Sequence, residues 1–277
     1  MTEIVDGKKI AGEILARLKE RVSKMNIKPT LAVVLVGDDE ASRLYVGKKE
    51  AAAKDVGIKF LRFEFPESIT KEALITELKK IQAENNLSGM IVQFPLPEKL
   101  WPDAREIVNN INPNIDVDCL SHISLGRVLM KESKIVPPTP GAVLEILKYH
   151  GVDLTGKNVC LVGRGDLVGK PLAAMLIQMP ITLSVHGRST KNLADYTRQA
   201  DIIISGVGKA GLITADMVKD GAVVIDAGTA FSGGKTVGDV DFDSVKTKAS
   251  IITLVPGGVG PITVAKLLEN TVDLAEH

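Results

Sequence analysis

The sequence predicts an α/β fold in two domains, on three observations. Its 277 residues exceed what one hydrophobic core usually serves, so the length prior is about two domains. Short β-rich apolar runs alternate with helical periodicity through both halves, which implies parallel sheets with helices on their faces. In the second half, Asn158-Val159-Cys160-Leu161-Val162 leads into Gly163-Arg164-Gly165-Asp166-Leu167-Val168-Gly169 and then an apolar helical pattern. Strand, glycine turn and helix in that order is how a Rossmann-type, doubly wound parallel sheet meets a dinucleotide. The glycines let the backbone approach the pyrophosphate, and the helix N-terminus offers it unpaired N–H groups. The spacing is one residue longer than the usual fingerprint, and alone it also fits a doubly wound domain that binds no nucleotide.

The elements follow in order. Ile10, Ile14, Leu15, Leu18, Val22 and Met25 recur at helical spacing among charges and predict an opening amphipathic helix. Residues 31–36 form a continuous apolar run closed by Gly37-Asp38-Asp39, the pattern of a strand buried on both faces. A helix over 41–56 stops at Gly57, a strand spans 59–65, and Thr70 caps a helix over 70–84. A strand over 88–93 ends at Phe94-Pro95-Leu96-Pro97. Residues 101–110 read as a short helix, whereas 111–123 carry no clear periodicity. Pro137-Pro138-Thr139-Pro140-Gly141 marks the domain boundary, because consecutive prolines continue neither helix nor central strand; it also suits the start of a helix over 141–150. Beyond it come strands at 158–162, 181–186, 201–205, 222–226 and 250–255, helices at 167–178 and 191–199, and a final helix over 263–273.

Composition narrows the class. Lys plus Arg and Asp plus Glu both number 34, so no net field favours nucleic acid or an anionic membrane. Cys119 and Cys160 have no metal-ligand spacing and frame no disulfide network. Reduced thiols, an N-terminus without an apolar signal core, and apolar runs too short to cross a bilayer predict a soluble cytoplasmic protein.

On the cofactor side, a NAD-binding domain usually places an acid about twenty residues beyond its first glycine. Here the second strand ends in Gly187-Arg188-Ser189-Thr190-Lys191, which holds no carboxylate. Arg188, Ser189 and Lys191, with Arg164 from the glycine turn, are suited to a 2′-phosphate, so NADP is expected over NAD. Solvated charges at a helix start would look the same. Gly228 and Thr229 close the strand Val223-Val224-Ile225-Asp226, and strand ends of a doubly wound sheet face ligands; a plain strand terminus fits equally.

On the chemical side, Ser42, Tyr45 and Lys49 share one helix face. A tyrosine one turn before a lysine can hold the ammonium and tune its pKa, and a buried lysine loses its charge readily enough to accept a proton. An exposed pair in a lysine-rich helix fits the same pattern, and lysines are mostly exposed. Gln93 stands at the carboxyl end of a buried strand, placed to face a ligand or to cap. Asp116 and Asp118 would share a side if the chain there is extended; no nearby His or Glu completes a ligand set, so no metal is expected. Val255-Pro256-Gly257-Gly258-Val259-Gly260-Pro261 fixes an unusual backbone path into the last helix, as loops that serve a site do.

Taken together, these segments resemble the bifunctional methylenetetrahydrofolate dehydrogenase/methenyltetrahydrofolate cyclohydrolase family. The resemblance runs in order through Val36-Gly37-Asp38-Asp39, Ala41-Ser42 with Tyr45 and Lys49, Val92-Gln93-Phe94-Pro95-Leu96-Pro97 and Asp116-Val117-Asp118. It continues through Pro137-Pro138-Thr139-Pro140-Gly141, Val162-Gly163-Arg164, Val168-Gly169-Lys170-Pro171, Gly238-Asp239-Val240-Asp241-Phe242 and Val255 to Thr263. It implies a folate cleft between two α/β domains: residues 1–137 with a returning C-terminal helix, 261–277, and an NADP-binding domain over 138–260. Tyr45, Lys49, Gln93 and Asp118 match its catalytic and folate positions, alongside Ser42, and Pro256, Gly257 and Gly260 match its folate-contacting loop. Gly163, Arg164, Gly165, Val168, Arg188, Gly228 and Thr229 fall at its cofactor positions. The implied partners are tetrahydrofolate derivatives and a second copy of the chain, in a homodimer through the nucleotide domains. The chain departs from the family pattern at Cys119-Leu120, where Gly-Phe is usual, at Ile115, Pro138 and Leu254, and at Gly165, where Ser is common.

Overall fold

The computed structural model describes residues 2–276. The chain opens with strand β1 (Glu3–Val5) and helix α1 (Gly7–Ser23). There follow β2 (Thr30–Val36), α2 (Glu40–Val56), β3 (Lys59–Phe65), α3 (Lys71–Glu84) and β4 (Gly89–Val92). A 3₁₀ stretch, Glu98–Asp103, runs into α4 (Ala104–Val108), and α5 (His122–Leu129) and α6 (Pro138–Tyr149) lead to the second sheet. That sheet is built from β5 (Asn158–Val162), α7 (Gly169–Leu176), β6 (Thr182–His186), α8 (Leu193–Thr197), β7 (Ile202–Ser205) and β8 (Val223–Asp226). A hairpin of β9 (Ala230–Ser232) and β10 (Lys235–Val237) precedes α9 (Phe242–Val245), β11 (Ile251–Thr253) and α10 (Val259–Ala275).

Two compact units result: Gly12–Pro138 with the residues from Val264 onward, and the residues up to Ala11 with Thr139–Thr263. In the first unit the sheet order is β3-β2-β4, all parallel. Every residue of β2 is buried, which is why its sequence reads as a continuous apolar run and not an alternation. Ala32, Val34, Val36, Met90 and Val92 on one sheet face pack with Leu74, Leu78 and Ile81 of α3 and with Leu100 and Ile107. The Thr70 hydroxyl accepts the Ala73 N–H and caps α3, as expected. From α10, Asn270 Nδ2 donates to the carbonyls of Val117 and Val136, at 2.8 and 2.7 Å.

In the second unit the order is β1-β11-β8-β7-β5-β6, parallel throughout. Sequence order reverses at β5, with β6 on one side and β7 on the other. That is the topological switch point at which doubly wound sheets bind ligands. Two features differ from the sequence reading. The first residues were expected with 1–137, yet β1 pairs in register with β11 and so lies in the nucleotide-type sheet. Helix α5 begins at the end of 111–123 and runs on through residues to which the sequence reading assigned no element; its start is capped locally, by Ser121 Oγ accepting the Ser124 N–H. No helix among the described residues is long and apolar enough to cross a membrane.

Candidate active site

In the first unit, α2 begins at a firm cap, because the Asp39 carboxylate accepts the Ser42 N–H at 2.7 Å. The face predicted for Ser42, Tyr45 and Lys49 starts from there. Ser42 is buried and its hydroxyl has no hydrogen-bond partner among the described residues. The Lys49 ammonium donates to Gln93 Oε1 at 2.9 Å, and the Gln93 amide nitrogen donates to the Phe94 carbonyl at 2.5 Å. Both amide ends are therefore fixed, and the acceptor is held toward the lysine. Gln93 sits one residue past β4, with its own N–H on the Val34 carbonyl. The ammonium over the Tyr45 ring, 5.5 Å from the centroid, is that of Lys48.

The two acids near β4 do not share a side. Asp116 makes a parallel bridge to Met90 and is buried, and its carboxylate accepts the N–H groups of Leu120 and Ser121 at 3.3 and 2.9 Å. The chain turns at Val117 and Asp118, so the alternation expected of an extended segment does not apply. Cys119 follows with φ of +54°, its side chain 1% exposed. This is left-handed backbone that glycine adopts freely and cysteine rarely does. The turn leaves Asp116 as a structural acceptor and Asp118 as the acid that interacts with Lys49.

Both members of that pair are partly buried, and loss of water acts on each. Desolvation lowers the Lys49 pKa, partly offset by the Asp118 charge. Desolvation also pushes the Asp118 carboxyl up to about 6, against the pull of Lys49 and with a further rise from Asp116. A lysine moved down and an acid moved up approach neutrality from opposite sides, where a side chain can both take and give a proton. The Cys119 thiol is pushed well above its usual value, first by burial and then by the two neighbouring acids, which disfavours its thiolate.

In the second unit the glycine turn lies at the switch point itself. Gly163 follows β5 with φ of +121°, and a Cβ there would stand 2.6 Å from the oxygen of Gly206, just past β7. A Cβ on Gly169, the first residue of α7, would stand 2.3 Å from the Gly163 oxygen. Neither position tolerates a side chain, whereas Gly165 faces open space. Val168 leans over Gly206, within 2.8 Å of where its Cβ would be. This is a cradle for a group approached by backbone alone. Helix α7 starts two residues later than its apolar pattern suggested, because the turn occupies 163–168.

Two cations reach the end of β6. Arg164 donates to the Val185 carbonyl at 2.8 Å and lies along Gly187, while Arg188 is exposed beside it. No carboxylate stands between 187 and 191. His186, which sequence reasoning passed over, is buried there with an unpartnered Nε2, its ring 4.4 Å from that of Tyr196. Burial and then Arg164 lower its pKa, so it adds no charge at neutral pH.

Gly228 and Thr229 follow β8, the first buried and the second exposed. The Pro256 loop lies in this same unit, with Gly257 at φ of +117°. Helix α10 starts at Val259, earlier than expected, so Gly260 and Pro261 stand inside its first turn, where proline is well tolerated. Sequence reasoning also missed the acids Asp226 and Asp239, both buried at the carboxyl ends of this sheet. Their signal was the pairing of each with a nearby glycine, in Asp226-Ala227-Gly228 and Gly238-Asp239.

A parallel sheet with a glycine cradle at its switch point and cations at the neighbouring strand end defines a dinucleotide-binding α/β protein, here joined to an α/β unit that carries a desolvated lysine. Known proteins agree in detail. Residues 5–118 match the tetrahydrofolate dehydrogenase/cyclohydrolase catalytic domain, and residues 137–277 match the NAD(P)-binding domain of the same family. The bifunctional protein FolD of Lactobacillus gasseri is 45% identical over 277 residues, covering 99% of this chain and 98% of the relative. The crystal structure of the bifunctional FolD methylenetetrahydrofolate dehydrogenase/cyclohydrolase from Campylobacter jejuni has a TM-score of 0.94 at 41% identity, covering 100% of this chain and 99% of that one. The enzyme from Trypanosoma brucei, solved with NADP cofactor and an inhibitor, gives 0.94 at 35% identity, covering 99% and 97%. The chain belongs to the tetrahydrofolate dehydrogenase/cyclohydrolase family.

Proposed function

We propose that the chain oxidises 5,10-methylenetetrahydrofolate to the 5,10-methenyl form with NADP+ and hydrolyses the product to 10-formyltetrahydrofolate. The observation that carries the hydrolytic half is the desolvated Lys49 held on Gln93 beside Asp118. The Gly163–Gly169 cradle and the acid-free cationic end of β6 fit NADP, with Gly163, Gly165, Val168, Gly228 and Thr229 around it and Arg164 and Arg188 toward a 2′-phosphate. When bound, NADP+ supplies the hydride acceptor.

The protein's own groups do the rest. Removal of hydride leaves a methenyl cation shared by two folate nitrogens, and no side-chain acid or base is required for that step. Hydrolysis is different: water must lose a proton as it adds to the cation, and a ring nitrogen must gain one as the ring opens. Lys49, whose ammonium burial makes easier to deprotonate, takes and returns that proton, and the Gln93 amide holds its nitrogen in place. Asp118 accepts hydrogen bonds from the pterin. Ser42, with its buried and unpartnered hydroxyl, and Tyr45 line the same face. Pro256, Gly257 and Gly260 stand at the positions of the family's folate-contacting loop. A homodimer through the nucleotide units and a cytoplasmic location complete the reading; the first rests on the family resemblance, with exposed Phe231 on the β9–β10 hairpin as a candidate contact, and the second on cysteine usage and the apolar pattern of the sequence.

One experiment tests the core of this. Methylenetetrahydrofolate and NADP+ are supplied together, and methenyl absorbance is followed as it rises and decays. Wild type is expected to show both phases, and Lys49→Met only the rise. Decay at the wild-type rate in Lys49→Met would overturn the assignment of the proton transfer to this lysine.

A further inference from the structure

The carboxyl ends of β7 and β8 are held by a reciprocal arrangement of two aspartates and two glycines. Asp239 is fully buried, and its carboxylate accepts three hydrogen bonds, each at 2.7 Å: from Ser205 Oγ, the Val207 N–H and the Lys209 N–H. It occupies the space where Gly228 would carry a Cβ, which would fall 2.2 Å from the Asp239 Cγ. Asp226, at the end of β8, accepts the N–H groups of Gly228 and Val240, both at 2.9 Å. Its Oδ2 lies 1.9 Å from where Gly238 would carry a Cβ. Each acid thus crosses to the other's segment through the gap left by a glycine.

The consequence is positional. The loop after β7 begins at Gly206, whose carbonyl meets Gly163 of the cofactor cradle, and continues through the two N–H groups fixed by Asp239. The loop after β8 begins with Gly228 and Thr229. Four separate backbone donors are clamped by two buried carboxylates at the side of the sheet where a doubly wound fold receives its ligand. A buried acid is an expensive way to hold a loop unless donors compensate its charge: Asp239 has three, while Asp226 has two backbone N–H groups and burial still pushes its carboxyl up to about 6. We propose that Asp239, supported by Asp226, is a positioning residue for NADP: it sets the backbone of 206–209 and 228–229 that receives the cofactor and does not itself touch the reacting atoms. This rests on reading the glycine turn as the cofactor site.

Asp239→Asn keeps size and shape but replaces one acceptor oxygen with a donor. Ser205 and Val207 share Oδ2 and Lys209 uses Oδ1, so at least one backbone N–H then faces an NH2 group. NADP+ binding, measured by titration calorimetry without folate, is expected to weaken by about tenfold or more. Hydrolysis of methenyltetrahydrofolate, assayed with no NADP present, is expected to stay within about twofold of wild type, since an equal loss is the mark of a general structural defect. The amides of Val207 and Lys209 should exchange hydrogen faster, with those of β2 unchanged. Ser205→Ala removes one donor and leaves the acid in place, so it provides a milder test, with an expected loss of about two- to fourfold, should the first variant fold poorly. Unchanged NADP+ affinity in folded Asp239→Asn, or equal losses in hydrolysis and binding, would overturn the proposal. Failure of the wild-type chain to bind NADP+ would instead overturn the cofactor reading, and this inference with it.

Discussion

Replacing Asp118 by Asn probes whether the acid and Lys49 titrate as a pair. Loss of water disfavours both charges, and mutual attraction favours both. Desolvation is the larger cause on each side, so the lysine is held below its ordinary value and the carboxyl is pushed up to about 6. The attraction is one energy seen from two ends, so it raises Lys49 and lowers Asp118 by the same amount. Opposite charges within about 4–6 Å typically shift a pKa by roughly 1–3 units. In Asp118→Asn the prop under Lys49 is gone, and its pKa is expected to fall further by about one unit or more. In Lys49→Met the Asp118 carboxyl is expected to climb from about 6 by the same interval, because only the raising causes remain. Both are read in the free enzyme by carbon-13 titration, of the lysine Cε in one variant and the aspartate Cγ in the other. In activity, the Lys49-linked inflection of hydrolysis in Asp118→Asn moves toward acid pH. Unequal shifts, or a lysine titration that does not move, would refute the coupling.

Two further substitutions address the backbone. Gly163→Ala forces a Cβ to within 2.6 Å of the Gly206 oxygen at φ of +121°. It is expected to add about 1–3 kcal/mol of strain and to abolish NADP+ binding by calorimetry; retained binding would show that the turn is not the cradle. Cys119→Gly relieves a left-handed backbone worth roughly 1–2 kcal/mol but loses a fully packed thiol of similar value, so the melting temperature is expected to stay nearly constant. Cys119→Val, with a branched side chain that tolerates this conformation worst, is expected to lower it clearly, and equal melting temperatures for the two variants would sink the argument.

How much was legible in advance divides along physical lines. Long apolar runs and capped helices were readable because their causes are local. β2 shows full burial as an unbroken run, and Thr70 announces α3 through its own side chain. Gly163 and Gly169 were readable as glycines, although the reason each must be one, contact with Gly206 and with each other, appears only in three dimensions. What stayed hidden depends on partners distant in sequence. β1 is three residues long and becomes a strand only because β11 lies beside it, 248 positions away in register at Glu3 and Ile251. Tyr45 sits one turn from Lys49, yet the lysine turns to Gln93, 44 residues on, a choice no helical spacing encodes. Asp116 and Asp118 looked equivalent until a turn at 117–118 gave them different neighbours.

That last distinction also indicates where the chemistry resides. Asp116, Asp226 and Asp239 each accept two or more hydrogen bonds, and backbone N–H groups account for nearly all of them. Their lone pairs are committed to the fold, and their work is to hold loops. Asp118 accepts no such bond among the described residues, and its principal protein partner is the charge of Lys49. A partly buried carboxylate without compensating donors is a costly arrangement for an empty protein. The same arrangement suits a ligand that brings N–H groups of its own, as the amino-substituted edge of a pterin does. Lys49 presents the complementary case: desolvated, steadied on an amide oxygen, and left with capacity to exchange a proton. The structural acids are recognisable by the backbone donors they accept, and the proposed functional acid by having none among the described residues. By that criterion the proposed hydrolytic site is one where the chain leaves side-chain hydrogen bonding open, at Asp118 and at the Ser42 hydroxyl.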